Sequence, residues 1–168
     1  KGELAPGRRV RGRGRIDRID RRKSDGAFVI TDYKSGSNWL YTRKDPFHQG
    51  RVVQHLFYIL MVESCLTQDA GHAARVAAFR FLFPTVQTQG EGVLLTRETL
   101  EEGREVLAHL CDLAGAGCFL PTDDDGDCKW CDYALACGDT ASQALRMAGK
   151  LKGDDPALDP MRKLRGYE

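Results

Sequence analysis

The alternation of apolar and polar positions along the chain predicts a mixed α/β domain. Period-two alternation indicates strands, and apolar residues at helical spacing indicate helices. The predicted strands run from Val10 to Arg22, Ala27 to Lys34, Arg75 to Phe83 and Val93 to Thr96. The predicted helices run from Arg51 to Ser64, from Thr96 or Thr99 to about Leu113, and from Ala141 to Ala148. This order of elements indicates the α/β class without selecting one fold.

The first two strands form a predicted hairpin around the turn signal Ser24-Asp25-Gly26. Asp32 and Lys34 share one face of the second strand because side chains alternate between faces. A two-residue turn at 24–25 sets Asp17 opposite Asp32, and one at 25–26 sets it opposite Lys34. In both registers Asp17 joins that face. A three-residue loop without a bulge would turn it to the other side.

This arrangement places two carboxylates and one ammonium at the end of an otherwise apolar face. Two carboxylates suit a hard cation such as Mg²⁺, which prefers oxygen ligands and keeps several waters. Such a cation activates water and neutralises phosphate charge. Lys34 would hold the attacking water or stabilise the charge that develops on phosphorus. A surface ion-pair cluster on an edge hairpin is the alternative that spacing alone leaves open.

The formal net charge of +1 conceals an uneven distribution of charge. Residues 1–23 carry ten Lys or Arg against three acids, and residues 123–139 carry six Asp against one Lys. A basic arm favours a polyanion such as nucleic acid, although a solvated charged strand explains it equally well. No apolar run is long enough to span a bilayer. The missing initiator Met and signal pattern lead us to expect an excised fragment and a cytoplasmic location.

Several of these segments, in this order, resemble the PD-(D/E)XK nucleases of the RecB family. The matching residues are Gly14-Arg15-Ile16-Asp17, then Asp32-Tyr33-Lys34-Ser35, then Gln54 with Tyr58, then Cys128, Cys131 and Cys137. The nuclease domain of the AddB-type subunit of bacterial helicase–nucleases is the most similar. The resemblance implies a restriction-endonuclease-like mixed sheet flanked by helices, without the first core helix, which would precede this chain.

The resemblance also implies a role for each matched residue. Asp17 and Asp32 would bind the metal, with the backbone carbonyl of Tyr33 as a further ligand, and Lys34 would be the catalytic lysine. The side chains of Gln54 and Tyr58, an i,i+4 pair on one helix face, would position DNA or support the lysine. Asp20 falls on the opposite face of the strand, where a surface ion pair is expected.

The cysteine segment resembles the part of this family that binds an iron–sulfur cluster. A [4Fe–4S] cluster is normally held by four Cys, so Cys128, Cys131 and Cys137 supply three ligands and the fourth lies outside the chain. Cys118 is the nearest substitute. A zinc site completed by His72 or His109 is the alternative.

The predicted domain layout follows from the same resemblance. A nuclease domain covers residues 1–149, with the catalytic hairpin within 10–35 and the cysteine segment within 115–138. Residues 150–168, rich in Pro, Gly and charge, are predicted to form a tail or linker. Trp39 and Tyr41 follow the second strand and either stack on single-stranded bases or pack against the protein.

The expected function is therefore metal-dependent cleavage of DNA with Mg²⁺ or Mn²⁺. The chain would be the exonuclease domain of an ATP-dependent helicase–nuclease in double-strand-break repair and recombination. Its partners would be DNA and a helicase subunit or helicase region, with no membrane. Two alternatives stay open: an inactive DNA-binding or scaffolding module of the same fold, and a CRISPR-type adaptation nuclease.

Overall fold

The computed structural model describes residues 2–5, 8–10, 12–42, 44–70, 73–129 and 131–166. The chain divides into two compact units, residues 1–108 and residues 109–168. Among the described residues, no helix has both the length and the apolar character needed to cross a lipid bilayer.

The first unit contains two sheets. Strands β1 (Gly2–Ala5) and β2 (Arg8–Val10) form an antiparallel pair. The larger sheet has the order β3-β4-β5-β6, made from Arg18–Arg21, Phe28–Tyr33, Val76–Phe83 and Glu91–Thr96. Strands β4 and β5 are parallel, and the two outer pairs are antiparallel. The predicted mixed sheet of the α/β class is confirmed.

Two helices belong to this sheet. Helix α1 (Gln54–Ala70) lies between the parallel strands β4 and β5 in the chain, because a parallel pair needs a long crossover connection. Helix α2 (Arg97–Gly115) follows β6 directly, as expected when Thr96 precedes the first helical residue. The boundary between the two compact units falls within α2.

One face of the sheet and the two helices share a single apolar core. The strands contribute Ile30, Phe79, Phe81 and Phe83, all almost completely buried. The helices contribute Leu56, Ile59, Val62, Leu100 and Leu107. Burial of side chains on this scale is the dominant stabilising term, and it fixes the position of α1 on the sheet.

A charged contact joins α1 to the beginnings of β5 and α2. Glu63 Oε1 accepts a hydrogen bond from the backbone N–H of Val76 at 2.9 Å. The same oxygen pairs with Arg97 Nη1, which also donates to the Val76 carbonyl at 3.1 Å. Because the ion pair is largely shielded from water, it positions α1 more firmly than a fully exposed pair would.

The single strand predicted from Val10 to Arg22 is wrong, because β2 ends at Val10 and β3 begins at Arg18. Two glycines in the intervening segment pass close to α1. A Cβ on Gly14 would lie 3.1 Å from Tyr58 Cε1, and one on Gly12 would lie 3.5 Å from Met61 Sδ. The glycines therefore serve a close approach of the backbone to a helix rather than an interrupted strand.

The second unit is largely helical, and this corrects the predicted tail over residues 150–168. Its elements are two short 3₁₀ turns at Asp125–Cys128 and Pro156–Leu158, and helices α3 (Ala134–Cys137), α4 (Thr140–Leu151) and α5 (Asp159–Arg165). Regularly spaced apolar residues in the supposed tail are buried, namely Leu151, Leu158, Met161 and Leu164. The Pro, Gly and charged residues between them obscured this pattern. The domain limits of 1–149 stay a prediction.

We expect His55 to make the stability of the protein sensitive to acid. Its ring is fully buried among Phe47, Phe79 and Phe81, and neither nitrogen has a hydrogen-bond partner among the described residues. Burial lowers the pKa of His55 from 6.5 to about 4. Because protonation of His55 is unfavourable in the folded state, the free energy of unfolding is highest above pH 6.5, the ordinary pKa of His. It falls by about 3 kcal/mol in total as the pH drops towards the pKa that His55 has in the folded protein.

The measurement is the free energy of urea unfolding between neutral pH and pH 4, for the wild type and for His55→Leu. The variant should lose this part of the pH dependence and be more stable at acidic pH, since no imidazole is left to protonate on unfolding. An identical pH dependence in both proteins would contradict the assignment.

Candidate active site

The register of the β3–β4 hairpin places Asp17 opposite Asp32. Arg18 pairs with Thr31 and Ile19 with Ile30. Extending this pairing by one residue sets Asp17 opposite Asp32. This is the register predicted from a two-residue turn at 24–25. The loop itself is longer, because Arg22 N–H bonds to the Ala27 carbonyl at 2.8 Å, leaving residues 23–26 as the loop.

The two acidic residues have different surroundings. Asp32, near the end of β4, is 5% exposed. Asp17, just before β3, is exposed, and its Oδ2 accepts a hydrogen bond from the backbone N–H of Tyr33 at 2.9 Å. That bond holds the Asp17 carboxylate against the backbone of Tyr33, between Asp32 and Lys34 in the chain, and the role of Asp17 at a shared site stays a prediction.

Lys34 is held between two side chains from different elements. Its Nζ lies 2.7 Å from Asp32 Oδ2 and donates to Gln54 Oε1 at 2.9 Å. The contact with Asp32 is an ion pair, and the Asp32 carboxylate that it involves is buried. A buried carboxylate is costly without a positive partner, and Lys34 supplies one.

The orientation of the Gln54 amide is set by Tyr58. Gln54 is the first residue of α1, and its Nε2 lies 2.9 Å from Tyr58 Oη, one helical turn further on. Since the nitrogen is used on the hydroxyl, the amide oxygen faces the ammonium of Lys34. The predicted pair of Gln54 and Tyr58 does contact Lys34, through the Gln54 amide oxygen. The role of this pair in catalysis stays a prediction.

The ammonium of Lys34 is favoured over the neutral amine. Burial lowers the pKa of Lys34, but the Asp32 carboxylate and the electrostatic influence of the Tyr41 and Tyr58 hydroxyls outweigh burial and raise it above the ordinary value. The rings of Tyr41 and Phe81 lie 6.0 and 5.7 Å from Nζ. The lysine therefore carries its charge at neutral pH and is suited to bind an anion rather than to accept a proton.

Oxygen atoms at this site could hold a divalent cation. Candidates are the buried Asp32 carboxylate and the Asp17 carboxylate, which bonds to the backbone of Tyr33 next to Asp32. Two carboxylates fit an ion such as Mg²⁺, which keeps several waters. Among the described residues, no group of three or more His, Cys, Asp or Glu side chains is arranged as a metal site.

The three clustered cysteines lie in the second compact unit and do not belong to the geometry described above. Burial and the neighbouring thiols of Cys131 and Cys137 raise the pKa of the Cys128 thiol, so the three sulfur atoms share one neighbourhood. All three thiols are free. Cys118, the expected substitute ligand, has its Sγ 3.9 Å from the Ala157 carbonyl. Of the two zinc candidates, His72 lies outside the described residues and His109 belongs to no metal-binding group.

Two residues near the site have roles that the sequence did not indicate. The ring of Tyr41 packs on Phe81 with a centroid distance of 4.3 Å. Of the two predicted roles of Tyr41, stacking on bases or packing against the protein, the structure shows the second. Gly14 lets the chain pass close to the Tyr58 ring of α1, since a Cβ there would lie 3.1 Å from Tyr58 Cε1. In the sequence, the glycine of the G-x-I-D pattern was the available signal for this close approach. The contact with α1 explains why the residue is a glycine.

The chain matches the family model of the PD-(D/E)XK nuclease superfamily over residues 3–138. This chain belongs to that superfamily, which implies nuclease activity, nucleic-acid binding and, in general, the use of divalent metals. Searches among curated proteins and among solved structures found no match.

We predict that Gly14→Ala destabilises the protein by about 1 kcal/mol, because the added methyl overpacks the contact with Tyr58. Gly36→Ala is the matched control, since a Cβ there meets no atom within 4 Å. The control should be stabilised by about 0.5 kcal/mol through the lower entropy of the unfolded chain. Denaturant unfolding measures both, and equal effects would contradict a close approach at Gly14.

Proposed function

We propose that the chain is the nuclease domain of an ATP-dependent helicase–nuclease, with its catalytic centre at Asp17, Asp32 and Lys34. The observation that supports this most directly is the placement of Lys34 Nζ, 2.7 Å from the buried Asp32 carboxylate and 2.9 Å from the Gln54 amide. Side chains from β4 and from the start of α1 thus meet at one ammonium. The same residues carry the resemblance to the RecB family.

The proposed reaction is hydrolysis of a phosphodiester bond in DNA. Asp17, Asp32 and the backbone carbonyl of Tyr33 would hold Mg²⁺ or Mn²⁺. A cation there supplies activation of water and neutralisation of phosphate charge. The register that sets Asp17 opposite the buried Asp32 carboxylate supports this assignment.

Lys34 would bind the scissile phosphate and stabilise the negative charge that grows during attack. Its raised pKa supports this role over that of a general base. Gln54 and Tyr58 would fix the direction of the ammonium, since their hydrogen bonds form one continuous chain from Tyr58 Oη to Lys34 Nζ. A positioned ammonium loses less freedom when the phosphate binds than a mobile one does.

The biological context that we propose is double-strand-break repair and recombination in the cytoplasm, with DNA and a helicase subunit or helicase region as partners. The basic segment 12–23 beside the site supports contact with a polyanion. One alternative is an inactive DNA-binding or scaffolding module of the same fold. A CRISPR-type adaptation nuclease is the other.

For the cysteine segment we propose a [4Fe–4S] cluster in the full-length protein. Cys128, Cys131 and Cys137 would supply three thiolates, and their C-x2-C-x5-C spacing in the sequence supports this. Because such clusters normally have four cysteine ligands, the fourth would come from outside this chain.

We predict that Asp32→Asn and Lys34→Met each reduce metal-dependent cleavage of DNA by at least about a hundredfold, because each removes charge needed in the transition state. The assay uses the full-length protein with labelled single-stranded and duplex DNA in Mn²⁺ or Mg²⁺. Binding of DNA, measured by fluorescence anisotropy, should persist.

Asp20→Asn is the matched control for this experiment. Asp20 is also an acid of the hairpin, but its carboxylate pairs with Arg18 Nε at 2.8 Å on the surface. This variant should cleave like the wild type. A full-length wild type that binds DNA and cleaves none with either metal would favour the inactive module.

A second prediction concerns the cluster. In the full-length protein purified without oxygen, Cys131→Ser and Cys137→Ser should lose iron, sulfide and visible absorption, whereas Cys65→Ser, which changes an exposed cysteine of α1, should keep them. Chemical analysis of iron and sulfide provides the measurement. A wild type that contains zinc and no sulfide would instead indicate the zinc alternative.

A further inference from the structure

Two loops project from the edge of the sheet at which Asp32 and Lys34 lie. Strands β4 and β5 are parallel, so the loop after Tyr33 and the turn after Phe83 emerge on the same side. We name residues 35–42 the β4 loop and residues 84–90 the β5–β6 turn. Lys34 N–H donates a hydrogen bond to the Leu82 carbonyl at 2.9 Å, so the pairing of β4 with β5 extends as far as Lys34.

Contacts connect the two loops to each other and to the lysine. Asn38 Nδ2, in the β4 loop, bonds to Glu91 Oε2, directly after the β5–β6 turn, at 2.5 Å. Tyr41 packs on Phe83 with a centroid distance of 5.5 Å, and its ring lies 6.0 Å from Lys34 Nζ. Both loops therefore border the catalytic edge.

The β5–β6 turn is held by its own hydrogen bonds. Thr88 Oγ1 donates to the Phe83 carbonyl at 2.6 Å, and Gln89 N–H donates to the Thr85 carbonyl at 2.8 Å. Gln89 and Gly90 adopt left-handed backbone angles, with φ of 51° and 79°. A turn closed in this way presents its tip in a fixed position, because the backbone groups are already satisfied.

Large apolar side chains stand in solvent on both loops. Trp39, in the β4 loop, is 56% exposed, and Val86, at the tip of the β5–β6 turn, is 95% exposed. Residues 35–42 and 84–90 are uncharged, and the nearest charged residues in the chain are Lys34, Arg43 and Glu91 at their borders. A surface meant for phosphates would carry Lys or Arg, whereas an uncharged surface with an indole suits the faces of nucleobases.

We propose that Trp39 and Val86 form a contact surface for the unpaired bases of a single strand that enters the catalytic edge. Trp39 stacks on a base, and Val86 packs against its neighbour, while the phosphate reaches Asp32 and Lys34. This inference rests on the proposed function and specifies its substrate as single-stranded nucleic acid. Bases in an intact duplex are stacked on each other and cannot offer their faces to an indole.

The binding test uses tryptophan fluorescence of the full chain. The sequence has two Trp, so Trp130→Phe leaves Trp39 as the reporter. Asp32→Asn is added so that the strand is not cut. Oligothymidylate should quench Trp39 fluorescence, and a blunt duplex of equal length should not. Equal quenching by both, or by neither, would overturn the proposal.

The kinetic test compares KM and kcat for a single strand. Trp39→Ala should raise KM about tenfold, and Trp39→Phe should restore it to within about threefold, because phenylalanine retains a stacking face. Val86→Ser should raise KM as well. Leu94→Ser is the control, since Leu94 is 57% exposed and lies on the sheet face opposite Asp32.

The two proposals fail in different ways. If the wild type cleaves single strands and Trp39→Ala has the same KM, the base contact is wrong and the nuclease centre stands. If the wild type cleaves nothing, the proposed function fails, and the quenching experiment still decides whether Trp39 meets unpaired bases. A rise in KM for Leu94→Ser equal to that for Trp39→Ala would also overturn the inference, because the effect would not be local.

Discussion

The site depends on one ion pair in which a lysine ammonium is shared between a buried carboxylate and an amide. Lys34 Nζ contacts Asp32 from its own strand and Gln54 from α1. A buried carboxylate without such a partner would be costly to keep ionised. The ammonium is the positive partner of the Asp32 carboxylate, and Gln54 of α1 holds the ammonium in place. Asp17 enters this group through the backbone of Tyr33 rather than through a side chain.

The position of α1 is what makes this contact possible. Three phenylalanines of β5 and the apolar residues of α1 bury one face of the sheet, and Glu63 joins the helix to Val76 and Arg97. Glycine at position 14 lets the chain pass beside Tyr58 of the same helix. A helix displaced by one turn would move Gln54 by about 5 Å, and its amide would no longer reach the lysine.

The match to the PD-(D/E)XK nuclease superfamily covers residues 3–138, which include Asp17, Asp32 and Lys34. Two kinds of side chain, charged and apolar, surround the site in separate places. Charged groups lie at the strand ends, whereas the loops beyond them carry Trp39, Val86 and no charge. Such a division corresponds to the two parts of a nucleotide, its phosphate and its base.

The sequence alone determined the class of the fold, the hairpin and its register. These follow from local rules, since alternation along a strand and pairing across a turn need no distant contact. The loop has four residues rather than two, and both lengths centred on this turn give the same register. The alignment of Asp17 with Asp32 along the hairpin was predictable for that reason.

Only the tertiary structure decided which distant groups complete the site and which apolar residues are buried. The bond between Lys34 and Gln54 spans 20 positions, and the burial of Tyr41 against β5 depends on packing that no local pattern encodes. The same holds for the supposed tail. Leu158 and Leu164 stand among charged residues in the sequence, which suggested exposure to solvent, but both are buried in the structure. Long-range packing selects among side-chain environments that the chain leaves open, because burial depends on what folds against each residue.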